Sequence, residues 1–335
     1  MRYKVFIASG SFGKIVEDGM RLLADEATVA RNPYDRPLSP DELKKSLRNV
    51  DAVILGNDVC DRDVLESARR LKVVSRHGVG IDNVDLESAT ENGILVTYTP
   101  GVNKTAVAEH TMALILSVAR KIPEATMSLK SGKWESLRFV GVELAGKKLG
   151  VVGLGSIGTE VAIRARCFGM EVLYYDIRRR RDLEKSIGAV YKPLEELLQG
   201  SDIVSLNVAL TPETRGMIGE REVALMRKEA YLVNTARGGI VDKAALTDAL
   251  RKKRIAGAAL DVFDEEPPDF DDPLFRLDNL VVTPHIGAYT FEAIKRMDLV
   301  SAENIIKAFR GQRPDFVANE EVFSKSNVRL RLRCE

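Results

Sequence analysis

Three side chains that could share one reaction stand just beyond short apolar runs: Arg237 in LVNTARGGIVD, Glu266 in GAALDVFDEEP and His285 in NLVVTPHIGA. A guanidinium takes a carboxylate through two parallel N–H donors, and a carboxylate beside a ketone is what a 2-oxo acid presents. A carboxylate held against imidazole fixes the tautomer and favours the protonated ring, which can then give a proton to a carbonyl oxygen during reduction. Each residue alone has an ordinary use: Arg237 in a surface ion pair, Glu266 in a turn, His285 as one of only three histidines in a core or capping position. Their common placement at the ends of strand-like runs is what points to chemistry, because open α/β sheets bind ligands beyond the carboxyl ends of their strands.

A hydride carrier for such a reaction is indicated by LGVVGLGSIGTEVAIRARCFGMEVLYYDI, residues 149–177. Gly153, Gly155 and Gly158 form G-x-G-x-x-G after one β-branched run, and Asp176 closes the next run eighteen residues past Gly158. The first glycine permits a tight turn, the second lets backbone approach a pyrophosphate, and the third lets the helix pack on the strand. Asp176 stands where a carboxylate accepts hydrogen bonds from ribose hydroxyls, which favours NAD. Gly153, Gly155, Ser156, Ile157, Gly158 and Asp176 are therefore assigned to cofactor binding, with Thr235 and Ala236 in the run before Arg237. The arginines that follow, Arg178 to Arg181, could hold a ribose phosphate, although Asp176 would repel it.

These residues need a scaffold of strands and helices in alternation. YKVFIA, DAVILG, LKVVSR and GILVTY occupy the first hundred residues; KLGVVGLG, EVLYYD, DIVSLNV, AYLVNTA, IAGAALDVF and NLVVTP follow. Short β-branched runs separated by helical stretches mean βαβ units, and two series mean two doubly wound parallel sheets. One helical pattern runs from Asn103 to about Lys130 and another from roughly Thr290 to Phe309. The second is long enough to carry the chain back to the first domain. The expected division is a discontinuous substrate domain (1–102 with 290–325), a nucleotide-binding domain (103–289) and a basic, frayed tail (326–335).

Composition excludes other classes. The chain has 335 residues, 45% hydrophobic and 30% charged, with a formal net charge of +1, which gives no electrostatic case for nucleic acid or a membrane surface as the main partner. Cys60, Cys167 and Cys334 lack metal-ligand or redox spacing, so no metal site and no disulfide framework are expected. The N-terminal MRYKVFIASG enters a strand without a signal-peptide pattern, and a cytoplasmic location is expected.

With VVGLGSIGTEVA, VNTARGGIVD, GAALDVFDEEP and VTPHIGA in this order, the chain resembles the NAD-dependent D-2-hydroxyacid dehydrogenases over nearly its whole length. The resemblance implies a Rossmann NAD-binding domain inserted in a flavodoxin-like substrate domain. It also implies catalytic roles for Arg237, Glu266 and His285, and an Asp261 that faces the nicotinamide amide. The loop SRHGVGIDNVDL is similar to the family's substrate loop, where the amides of Val79 and Gly80 would hold the substrate carboxylate. KIPEATMSLKSGKWESLRFVG, with the only tryptophan, Trp134, resembles the family's dimer segment and implies a homodimer.

Within the family, the stretches around Trp134 and the substrate loop look like those of D-3-phosphoglycerate dehydrogenases, and the chain ends at residue 335 before the regulatory domains many of them carry. A short phosphoglycerate dehydrogenase is the reading taken. The alternative is a glyoxylate or hydroxypyruvate reductase, because Gly56 and Asn57 replace an Arg-Ser pair suited to phosphate. A bound phosphate would fall to Arg76 or Lys104. NADH-binding corepressors share the fold and the three polar residues, and they form the non-enzymatic alternative.

Overall fold

The computed structural model describes residues 2–330. The chain forms two units, one built from the residues up to Asn103 together with those from Tyr289 onward, the other from Lys104–Ala288.

The first unit holds five parallel strands, β1 (Tyr3–Ile7), β2 (Ala27–Arg31), β3 (Ala52–Leu55), β4 (Val73–Arg76) and β5 (Leu95–Thr97), in the order β2-β1-β3-β4-β5. This is the flavodoxin-like order. All four residues of β3 are buried, as a central parallel strand covered on both faces requires. The helix Phe291–Phe309 starts at Thr290, whose hydroxyl accepts the Ala293 amide at 3.1 Å. Its Ala302, Ile305 and Phe309 join Val5, Ile7 and Leu23 in one apolar cluster. The expected frayed tail is corrected as far as Leu330. The Arg329 amide donates to the Gly93 carbonyl at 3.0 Å, its guanidinium reaches the carbonyls of Ala68 and Leu71, and Leu330 is buried. A backbone satisfied on that scale is docked. The rest of the expected tail, 331–335 with Cys334, lies outside the described residues.

The second unit holds seven parallel strands, β6 (Lys148–Val152), β7 (Glu171–Tyr175), β8 (Val190–Tyr191), β9 (Ile203–Leu206), β10 (Tyr231–Asn234), β11 (Gly257–Leu260) and β12 (Leu280–Val282). Their order, β12-β11-β10-β9-β6-β7-β8, is that of a dinucleotide-binding sheet with one strand added, and the order reverses between β6 and β9. The strands β9, β10 and β11 are buried along their whole length.

Three local expectations need correction. The helical pattern from Asn103 to Lys130 is two helices, Lys104–Arg120 and Ile122–Lys130, broken at Lys121 with φ 52°. Pro123 explains the break: it lacks the N–H a continuing helix needs and sits in the first turn of a new one. β2 and β8 are additional strands, both at sheet edges, where pairing on one side supports short or half-polar runs. Among the described residues no helix is long and apolar enough to cross a membrane.

Candidate active site

The glycines of the first motif differ in what they permit. Gly153 adopts φ +92°, and a Cβ there would stand 2.7 Å from the Asn207 carbonyl. A Cβ on Gly158 would lie 2.0 Å from the Gly153 carbonyl, so the helix Ser156–Cys167 can leave β6 this closely only with glycine. A Cβ on Gly155 would meet nothing within 4 Å, and the helix N-terminus beside it has no side-chain cap. Open space over uncapped amides at the point where strand order reverses suits a pyrophosphate. Gly155 and Ser156 are exposed there, while Ile157 packs on the core.

Asp176 stands just past β7 and is fixed from both sides: Oδ2 accepts the Leu154 amide at 2.7 Å and Oδ1 the Arg178 amide at 2.9 Å. The carboxylate is thus aligned with the glycine turn. Of the arginine run, Arg179 pairs with Glu184 at 2.7 Å and Arg180 with Asp182 at 3.0 Å, so both are committed to their own helix. These features fit an NAD molecule whose ribose would be held by Asp176 and whose phosphates would lie at Gly155 and Ser156.

At the end of β10, Asn234 is buried and clamps the turn that carries Arg237. Its Nδ2 donates to the Arg237 carbonyl at 2.7 Å, and its Oδ1 accepts the Ala236 amide at 3.0 Å. Thr235 shares a hydrogen bond of 2.8 Å with Thr111, and the Arg237 guanidinium donates to the Ala236 carbonyl at 2.7 Å. Gly238 lies against the Phe263–Asp264 backbone so closely that a Cβ would stand 2.1 Å from the Phe263 carbonyl carbon. The turn bearing Arg237 therefore abuts the turn leading to Glu266.

Glu266 and His285 are joined. His285 Nδ1 lies 2.6 Å from Glu266 Oε2, and Glu266 Oε1 accepts the Phe263 amide at 3.2 Å. His285 has φ 54°, an uncommon conformation for a residue with a Cβ, and its amide donates to the Asp261 carbonyl at 2.8 Å. The Asp261 carboxylate is buried and accepts the Thr283 hydroxyl at 2.6 Å, the Ile286 amide at 2.9 Å and the Gly287 amide at 2.8 Å. His110 Nε2, from the helix Lys104–Arg120, lies 3.3 Å from it and 3.0 Å from the Thr283 hydroxyl. Burial pushes the Asp261 pKa up, but hydrogen bonds from His110, Thr283 and the Ile286 amide prevail and hold it below the ordinary carboxylate value.

The residues expected on the substrate loop belong to the first unit. Val79 and Gly80 are half-buried just past β4. Arg76 is buried, and its guanidinium turns back into its own loop, donating to the His77 carbonyl at 2.6 Å and to Asn57 Oδ1 at 3.1 Å. It also lies over Gly78, where a Cβ would meet Nη1 at 2.7 Å. Lys104, the other cation considered for phosphate, pairs with Glu160 at 3.0 Å.

Sequence reasoning did not assign Asn234, Thr283 or His110. Asn234 carried a usable signal, a polar residue closing an apolar strand two positions before Ala236. His110 and Thr283 carried none, since their meeting depends on where the helix Lys104–Arg120 lies on the sheet.

Comparison with known proteins agrees with this geometry. Residues 112–287 match the family model described as D-isomer specific 2-hydroxyacid dehydrogenase, NAD binding domain. The chain is 45% identical to D-3-phosphoglycerate dehydrogenase of Methanocaldococcus jannaschii over 90% of its own length, yet it spans only 57% of that enzyme. It is 43% identical to glyoxylate reductase of Pyrococcus furiosus, covering 96% of this chain and 97% of that one. The structure of D-lactate dehydrogenase from Aquifex aeolicus, complexed with NAD and lactic acid, superposes with a TM-score of 0.84 at 30% identity, over 94% of this chain and 99% of that one. The chain belongs to the D-isomer-specific 2-hydroxyacid dehydrogenase family and is an NAD-dependent oxidoreductase acting on CH–OH groups.

Proposed function

We propose that the protein interconverts a small unphosphorylated 2-oxo acid and its D-2-hydroxy acid, with glyoxylate and hydroxypyruvate as the substrate class. The observation that carries the chemistry is the 2.6 Å contact between His285 Nδ1 and Glu266 beyond the carboxyl ends of β11 and β12. NAD, when bound, supplies or accepts the hydride at the carbon bearing the oxygen. Glu266 occupies Nδ1, so His285 moves the proton at Nε2: it protonates the carbonyl oxygen in reduction and takes the hydroxyl proton in oxidation. Arg237 holds the substrate carboxylate and polarises the neighbouring carbonyl.

The absence of phosphate from the proposed substrate rests on Arg76 and Lys104. A phosphate is held chiefly by cations, and these two are turned into the Asn57 loop and onto Glu160. The Pyrococcus furiosus relative, 97% of whose own length is covered, is named glyoxylate reductase, which supports the same choice. The likeness to the Methanocaldococcus jannaschii enzyme favours D-3-phosphoglycerate as a second reading. We further propose a cytoplasmic homodimer joined through the segment around Trp134.

Loss of nicotinamide absorbance with glyoxylate, hydroxypyruvate and phosphohydroxypyruvate tests the substrate. Efficient reduction of the first two, with a kcat/KM at least about tenfold above that for the phosphorylated acid, is expected. The opposite order establishes the phosphoglycerate reading, and turnover of none of the three overturns the proposed substrate class.

A further inference from the structure

We infer that Asn234 is a positioning residue for Arg237: buried at the carboxyl end of β10, its side-chain amide fixes where the guanidinium meets the substrate carboxylate. This rests on the reading of Arg237 as the holder of that carboxylate.

An asparagine amide both accepts and donates, and Asn234 spends both capacities on the turn that follows it. Oδ1 accepts the Ala236 amide at 3.0 Å, the two-residue reach by which asparagine and aspartate close a turn. Nδ2 donates to the Arg237 carbonyl at 2.7 Å, so one side chain brackets the turn from within. Ala236, held at its amide, offers its own carbonyl to the Arg237 guanidinium at 2.7 Å. Asn234 is itself fixed by the sheet. It stands in register with Leu206 of β9 and Leu260 of β11, and its carbonyl accepts the Asp261 amide at 3.0 Å. The Phe263–Asp264 backbone limits how far the turn can move toward Glu266, because a Cβ on Gly238 would already run into it. The Asn234 amide is the polar tie that keeps the turn at that distance.

Other polar side chains supply half of this tie. Serine or ionised aspartate at position 234 can accept the Ala236 amide, but neither donates to the Arg237 carbonyl. That carbonyl then loses a buried donor, and the guanidinium loses its alignment with a carboxylate that it must meet through two parallel bonds.

Oxamate, a carboxylate beside an amide carbonyl that takes no hydride, is the probe. Its affinity for the NADH complex is titrated by nicotinamide fluorescence in the native enzyme, Asn234→Ser, Arg237→Gln and the double variant, after NADH affinity has been measured in each. Asn234→Ser is expected to weaken oxamate about tenfold while NADH affinity changes less than about threefold. Arg237→Gln is expected to weaken oxamate tenfold or more. On that background Asn234→Ser should add less than about threefold, because the guanidinium it misplaces is gone. A further tenfold loss on that background, or a tenfold weakening of NADH in Asn234→Ser, would show that Asn234 acts otherwise than through Arg237 and overturn the inference. If Asn234→Ser does not fold, Asn234→Asp decides by the same cycle. Native oxamate affinity in Arg237→Gln removes the underlying reading of Arg237. A large loss there beside near-native affinity in Asn234→Ser overturns only the role given to Asn234.

Discussion

On the proposed reading, cofactor choice falls to single side chains around Asp176. Its carboxylate is fixed by the amides of Leu154 and Arg178, and two of the arginines that follow, Arg179 and Arg180, are paired with Glu184 and Asp182. A 2′-phosphate would meet an aligned negative charge, so NADH is expected to be preferred by about tenfold or more in kcat/KM. Asp176→Ser removes the repulsion, leaves Arg178 beside the vacated position and should shift preference toward NADPH by at least about tenfold. Steady-state kinetics with both cofactors checks this; equal use of the two by the native enzyme would show that the arginine run already outweighs the acid.

At the scale of elements, the first unit is tied together by a buried histidine. His77 follows β4, and its Nε2 lies 2.8 Å from Asp298 on the helix Phe291–Phe309, while Nδ1 lies 3.0 Å from the Ser9 hydroxyl beyond β1. Asp298 also accepts the Gly13 amide at 2.8 Å, so one imidazole and one carboxylate fasten three segments. Burial holds the His77 pKa below its ordinary 6.5, outweighing the hydrogen bond that the ring donates to Asp298 and that pulls it up, with Arg76 adding to the depression. The ring stays neutral in the fold while the unfolded chain takes up a proton below about pH 6.5. Stability from this group is therefore full above that pH and is lost as the pH falls toward the folded pKa, with a slope of at most about 1.4 kcal/mol per pH unit. Denaturant titrations as the pH falls below about 6.5 should show that slope in the native protein and a shallower one in His77→Gln. Equal slopes would mean that His77 does not set this acid limb.

For the whole molecule, the stretch after Lys121 is unlike an ordinary monomer surface. Met127, Leu129, Trp134, Leu137 and Val140 are each more than half exposed, with Trp134 at 85% and Leu137 at 87%. Large apolar side chains clustered in one short segment mark an interaction surface. If that surface joins two copies, Trp134→Glu combined with Leu137→Glu should give a monomer by light scattering and sedimentation at micromolar concentration. A dimer that persists in the double variant would place the interface elsewhere.

Much of this organisation is written locally. The spacing of Gly153, Gly155, Gly158 and Asp176 carries the cofactor fold because tight turns and close backbone approaches tolerate few other residues, and those demands operate within a few positions. β-branched runs marked the central strands for the same reason: a strand covered on both faces is apolar throughout. The edges β2 and β8 escaped notice because half their surroundings are solvent, and the break at Lys121 because an apolar period continued past Pro123. What tertiary structure alone decided is the destination of long-range polar groups. Nothing near Asp261 in the chain announces that its carboxylate will take Thr283, Ile286, Gly287 and His110, nor does anything near Arg76 announce that it will fold onto Asn57 and the His77 carbonyl. A buried charge must find donors wherever the packed sheet and helices bring them, and that proximity exists only once the strands have taken their order.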